Sequence, residues 1–116
     1  MNLDEQILKA SVLIVDDKPA NVALLEAILK SEGYTNIQSV TDSRLVKELH
    51  EKWQFDIILL DIRMPHMSGF EVMEQLQKSN QDDYLPVLVL TAQSDAEIKI
   101  QALQSGARDF VTKPFE

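Results

Sequence analysis

The sequence predicts an α/β fold in which one parallel sheet of five strands is covered by helices on both faces. Three observations carry this reading. Residues 12–15, 57–60 and 86–90 are apolar at consecutive rather than alternate positions, as strands buried on both faces must be. The segments between them place apolar residues three and four apart, the mark of amphipathic helices. Strand and helix then alternate along the whole chain, which implies right-handed crossovers and a doubly wound, three-layer α/β/α sandwich.

Residues 1–10 are mostly polar, with Leu3, Ile7 and Leu8 at helical spacing, and are read as an N-terminal tail. Residues 11–15 form the first strand, which stops at Asp16-Asp17. Pro19 suits the first turn of a helix, whose apolar face is Val22, Leu25, Ile28 and Leu29 and whose end is marked by Gly33. Residues 36–40 are a weaker strand, nearer a sheet edge. Thr41, Asp42 and Ser43 offer N-cap oxygens to a second helix with Leu45, Val46, Leu49 and Trp53 as its stripe.

The central strand, residues 57–60, delivers Asp61 to its carboxyl end, and Met64-Pro65 holds the following turn short. Ser68 and Glu71 have capping-box spacing and open a helix with Phe70, Met73 and Leu76 inward. A polar loop precedes the strand of residues 86–90, which ends at Thr91. Ser94 and Glu97 repeat the capping-box spacing for a helix that Gly106 closes. The last strand, residues 108–112, leads to Lys113-Pro114-Phe115. Five strand–helix units with the fifth helix missing most often take the flavodoxin-like strand order 2-1-3-4-5. The stop at Glu116, where a closing helix is due, leads us to expect a piece of a longer chain.

The 116 residues suffice for one domain with one core. A net charge of -8 argues against a nucleic-acid surface, which needs clustered Lys and Arg. The absence of cysteine removes disulfides, thiolate metal sites and thiol nucleophiles. No apolar run approaches the roughly 20 residues of a membrane helix, and the N-terminus lacks the basic start of a signal peptide. A cytoplasmic location follows as the default.

In open α/β sheets, ligands sit at the carboxyl edge of the strands. Asp16 and Asp17, Asp61, Thr91 and Lys113 all belong to strand ends there. Three crowded carboxylates repel one another, and a hard divalent cation with oxygen ligands, such as Mg²⁺, resolves the conflict. A hydroxyl and an ammonium beside it suit a phosphoryl group. Each residue also has a plainer reading: Asp16-Asp17 as a helix cap, Asp61 in a turn, Thr91 bonded within its loop, Lys113 at the surface. What argues against the plain readings is that all four would have to coincide at one sheet edge. Met64 and Met67 are read as packing, His66 as an exposed loop histidine and His50 as a surface residue.

These residues and their spacing resemble the receiver domain of two-component response regulators. The likeness covers residues 11–116, with 1–10 as the tail and the fifth helix lacking. It rests on Asp16-Asp17, Asp61 followed by Met64-Pro65 and Gly69, Thr91-Ala92, Phe110 and Lys113-Pro114-Phe115. The resemblance implies that Asp61 is the phosphoacceptor, taking a phosphoryl group from a sensor histidine kinase or phosphotransfer protein. It implies Mg²⁺, for which Mn²⁺ can substitute, on Asp17, on Asp16 directly or through water, on Asp61 and on the backbone carbonyl of Arg63. Lys113 would pair with the acceptor, the Lys113–Pro114 peptide would be cis, and Thr91 and Phe110 would form the switch. Arg63 and Gln93 would border the hydrolytic water. An output domain or effector would read the switch; a homodimer is a further possibility.

A haloacid-dehalogenase-like phosphatase wants a second Asp where Arg63 stands. A P-loop needs Gly-Lys-Ser/Thr, which is absent. A flavin carrier would not put Asp16-Asp17 against a phosphate. A receiver-like docking module that is never phosphorylated is the remaining alternative. Pro19-Ala20-Asn21 and residues 84–90 look like receivers fused to HD-GYP cyclic-dinucleotide phosphodiesterases, a likeness that receivers of hybrid kinases and diguanylate cyclases could share.

Overall fold

The structure, a computed structural model, describes residues 7–79, 86–92 and 96–113, without the side chains of Ser79, Ala92, Thr112 and Lys113. Its elements follow the predicted alternation: β1 (Val12–Val15), α1 (Pro19–Ser31), β2 (Ile37–Val40), a 3-10 turn (Ser43–Leu45) running into α2 (Val46–Trp53), β3 (Ile57–Asp61), α3 (Gly69–Ser79), β4 (Val87–Ala92), α4 (Ala96–Gln104) and β5 (Asp109–Lys113). The five strands are parallel in the order β2-β1-β3-β4-β5, as the sequence leads one to expect.

Helix boundaries fall where the local chemistry sets them. Pro19 occupies the first turn of α1, where its missing N–H deprives the helix of nothing. The helix ends at Gly33, φ +103, where a side chain would be strained. The Gly33 and Tyr34 N–H groups donate to the carbonyls of Lys30 (3.0 Å) and Leu29 (3.1 Å), the paired bonds of a Schellman closure. Leu8 lies against this turn, its Cδ1 3.1 Å from where a Cβ on Gly33 would stand. The same pair of bonds closes α4, from Gly106 to Leu103 and from Ala107 to Ala102.

Successive strand residues face opposite sides of the sheet. Leu13, Val15, Ile58 and Leu60 join Val72, Met73 and Leu76 of α3 in the larger cluster. Val12, Ile14 and Leu59 meet Val22 and Leu25 of α1 in the smaller one. Asp61 thus extends a strand whose neighbours on both sides are buried, which is what carries a carboxylate into the protein.

Two expectations for α2 are corrected. Of the predicted stripe, Val46 is buried and Leu49 half-buried, but Leu45 is 45 % and Trp53 52 % exposed. Leu45 belongs to the 3-10 turn, whose tighter winding rotates it off the α-helical stripe. Gln54 ends the helix in the left-handed region, φ 50, and the turn it makes sends Phe55, 3 % exposed, into the core instead of Trp53. His50 is not a surface residue but half-buried. Its Nδ1 accepts the Phe55 N–H at 3.1 Å, and its ring stacks on Phe55 at 6.2 Å between centroids.

Candidate functional site

Asp16 and Asp17 follow β1, and Asp61 ends β3, the strand hydrogen-bonded to β1 with Val15 opposite Leu60. Parallel pairing therefore sets all three acids at one edge. One carboxylate oxygen from each lies within 4.8 Å of the others. Asp16 and Asp61 are buried, at 0 % and 4 % exposure.

The three are held differently. Asp16 accepts the Lys18 N–H at 3.0 Å with Oδ1 and the Asn21 side-chain amide at 3.1 Å with Oδ2. It therefore orders the entry to α1, although the N-cap position itself is Lys18, whose side chain makes no capping bond. Asp17 has a buried Oδ1 with no hydrogen-bond partner among the described residues. Leaving a carboxylate oxygen buried without a donor is costly. A cation would satisfy it, and an all-oxygen set from three carboxylates is what Mg²⁺ takes.

Asp61 is fixed from behind by α3. The Gly69 N–H donates to the Ile62 carbonyl at 2.9 Å, and a Cβ on Gly69 would stand 2.6 Å from the Asp61 carbonyl oxygen. Only glycine allows α3 to start this close to the acid. Ser68 caps the helix, accepting the Glu71 N–H at 3.3 Å. Met64 and Met67 pack against the larger core cluster, as expected, and Arg63 and His66 are exposed.

The β3–α3 connection contains a feature that sequence reasoning missed. The Met67 N–H donates to the Pro65 carbonyl at 2.7 Å, across His66 at φ 69. That is a γ-turn of the positive-φ kind, which is rare and strained. Ser43 is also unlike its expected role. Asp42 supplies the cap, accepting the Arg44 N–H at 3.0 Å, while the Ser43 hydroxyl donates to the Met67 carbonyl at 2.8 Å. No local pattern could reveal a partner 24 positions away. Hydrogen bonds from the Arg44 side chain and then its backbone hold the Asp42 carboxyl down at about 2. Asp17, Thr41, Asp42, Ser43, Arg44, Pro65 and His66 line an open cavity of about 260 Å³ beside the acidic cluster.

On the other side, β4 brings Thr91, 4 % exposed, and its register pairs Thr91 with Thr112 and Ala92 with the backbone of Lys113. Phe110 packs half-buried against the larger cluster. The Lys113 side chain, Gln93 and Pro114, with the expected cis peptide, lie outside the described residues, as do Ser94 and Phe115.

A family model described as the response regulator receiver domain matches residues 12–116. Response regulator PleD of Caulobacter vibrioides is 40 % identical over 109 residues, which cover 94 % of this chain and 24 % of that protein. A probable cyclic di-GMP phosphodiesterase of Vibrio cholerae is 34 % identical over 110 residues, 95 % of this chain and 24 % of that protein. The chain thus spans about a quarter of the length of these two relatives. Among solved structures, the receiver domain of sensor histidine kinase PA1611 from Pseudomonas aeruginosa, with a magnesium ion in its active site cleft, superposes with a TM-score of 0.81. It is 30 % identical, with 93 % of this chain and 88 % of that one covered.

Proposed function

The chain belongs to the response regulator receiver domain family of two-component signalling, and from that premise we propose that Asp61 is its phosphoacceptor. The observation that carries the proposal is the meeting of Asp16, Asp17 and Asp61 within 4.8 Å at the carboxyl edge of the sheet. Mg²⁺, or Mn²⁺ in its place, would be held by these acids and the Arg63 carbonyl. When bound, it supplies positive charge opposite both the attacking carboxylate and the phosphoryl oxygens.

The protein's part is positioning and charge neutralisation, which is most of what phosphoryl transfer asks. An Asp61 carboxylate oxygen attacks the phosphorus of a phosphohistidine on a sensor histidine kinase or phosphotransfer protein. The phosphorus–nitrogen bond breaks, and its electron pair leaves with the imidazole. Lys113 pairs with the acceptor and then with the phosphoryl group. Water later attacks the phosphorus, releasing phosphate and restoring the carboxylate, with Arg63 and Gln93 bordering its approach.

The Thr91 hydroxyl donates to the new phosphoryl oxygen, draws the loop after β4 inward and lets Phe110 rotate. Such a change needs a bias of only a few kcal/mol. The receiver then acts in the cytoplasm on an output domain or effector. A cyclic-dinucleotide enzyme is the output we favour, because the relative from Vibrio cholerae carries that description and residues 19–21 and 84–90 share that likeness.

The test is incubation with acetyl phosphate and Mg²⁺, read by intact mass. One phosphoryl adduct on the wild type, lost in Asp61→Asn and in chelator, is the expected result. An unmodified wild-type protein would leave the docking-module reading instead.

A further inference from the structure

Ser43 is 3 % exposed and, with Asp16, Asp61 and Thr91, one of four buried polar or charged residues among those described. The other three are the candidate site itself. Ser43 sits on a different connection, after β2, and its hydroxyl reaches across to the Met67 carbonyl at 2.8 Å. Met67 closes the γ-turn over His66 at φ 69. A residue with a β-carbon stays in that conformation only where its surroundings over-determine it. One side of the turn is held by the Gly69 N–H bond to the Ile62 carbonyl. The other is held by Ser43. Ser43, Pro65 and His66 line the same cavity as Asp17, whose Oδ1 is the unpartnered oxygen of the cluster.

We propose that Ser43 is a positioning residue for phosphoryl transfer: its hydroxyl clamps the strained 65–67 turn and so fixes the loop that presents Asp61 and the Arg63 carbonyl to the divalent cation. The proposal rests on the reading of Asp61 as a Mg²⁺-assisted acceptor. Ser43 touches neither the cation nor the phosphoryl group. Its loss should loosen the ligand geometry while leaving every ligand in place.

The experiment compares wild type, Ser43→Ala, Ser43→Thr, His66→Gly and the Ser43→Ala/His66→Gly pair. Each is titrated calorimetrically with Mg²⁺ alone, unfolded in urea, and phosphorylated with acetyl phosphate. Losing one buried hydrogen bond should weaken Mg²⁺ binding by about fivefold in Ser43→Ala, with Thr, which keeps the hydroxyl, restoring most of it. Glycine at position 66 removes the strain that the clamp opposes, so Ser43→Ala should cost Mg²⁺ affinity much less in that background. If Ser43→Ala does not fold, Ser43→Cys, with a similar volume and a weaker donor, takes its place. A folded variant whose Mg²⁺ affinity equals that of wild type, or an equal loss in both backgrounds, overturns the proposal. A wild type that binds Mg²⁺ but never gains a phosphoryl group overturns the reading of Asp61 instead.

Discussion

The ammonium nitrogen of Lys99 on α4 stands 5.2 Å from the ring centroid of Phe110 on β5. Both residues are half-buried. Phenylalanine has no hydroxyl with which to anchor an outward position, but its ring face attracts a cation. Such contacts are worth about 0.5–1 kcal/mol at exposed sites and more when desolvated. In the proposed switch, rotation of Phe110 would break or carry this contact, which would make Lys99 part of its energetics. A double-mutant cycle of Lys99→Met and Phe110→Leu, read from urea midpoints, should give a coupling of about 0.5–1 kcal/mol. Strictly additive losses would show that the two side chains are merely neighbours.

Gly69→Ala should reverse the usual sign of a glycine-to-alanine change in a helix. Alanine ordinarily favours a helix by about 1 kcal/mol over glycine. Here the new Cβ would stand 2.6 Å from the Asp61 carbonyl oxygen and 2.9 Å from the Ile62 Cα. Both obstacles are backbone, and neither can swing aside. A net loss of roughly 1–3 kcal/mol is expected, as for overpacking, together with slower phosphorylation, because the displaced backbone is that of the proposed acceptor. An alanine variant as stable as wild type would mean that α3 slides away from β3 without cost.

The sheet order, the three acids at one edge and the ends of α1 and α4 were legible because each is written locally. Consecutive apolar residues mark a strand, and Pro19, Gly33 and Gly106 mark boundaries through their own backbone limits. His50 was misread because its helix is rich in charge, and Trp53 because a spacing rule ranks positions on an ideal helix. It does not register that Gln54 turns the chain at φ 50 and hands the core position to Phe55. Ser43 and the γ-turn at His66 were not legible at all. Their partners lie on other connections, and a serine after an Asp reads the same whether it caps a helix or braces a distant loop.

Stability should fall in mild acid because of His50. Burial holds its imidazole below the usual histidine range, and its Nδ1 accepts the Phe55 N–H at 3.1 Å, which a protonated ring cannot do. The unfolded chain therefore binds the proton more readily than the native one. The contribution is complete above the unfolded value of about 6.5 and is lost as pH falls through the lower folded value. The urea midpoint should drop between neutral pH and mild acid in wild type and drop less in His50→Gln. Equal pH dependence in the two proteins would assign the acid sensitivity to other groups.

Removing the divalent cation should invert the stability order of wild type and Asp17→Asn. With chelator, three carboxylates within 4.8 Å repel one another, by an amount on the order of a few kcal/mol at the effective dielectric of such sites. Asp17→Asn removes one of these charges. The variant should then melt above wild type. With Mg²⁺ at a hundredfold excess over its Kd, wild type gains about 2.7 kcal/mol by linkage, and the variant, lacking the ligand whose Oδ1 has no other partner among the described residues, gains little. Thermal melts of both proteins in chelator and in Mg²⁺ decide the matter. Equal Mg²⁺-induced shifts in the two would take Asp17 out of the ligand set and leave its buried oxygen as a cost the fold carries for another reason.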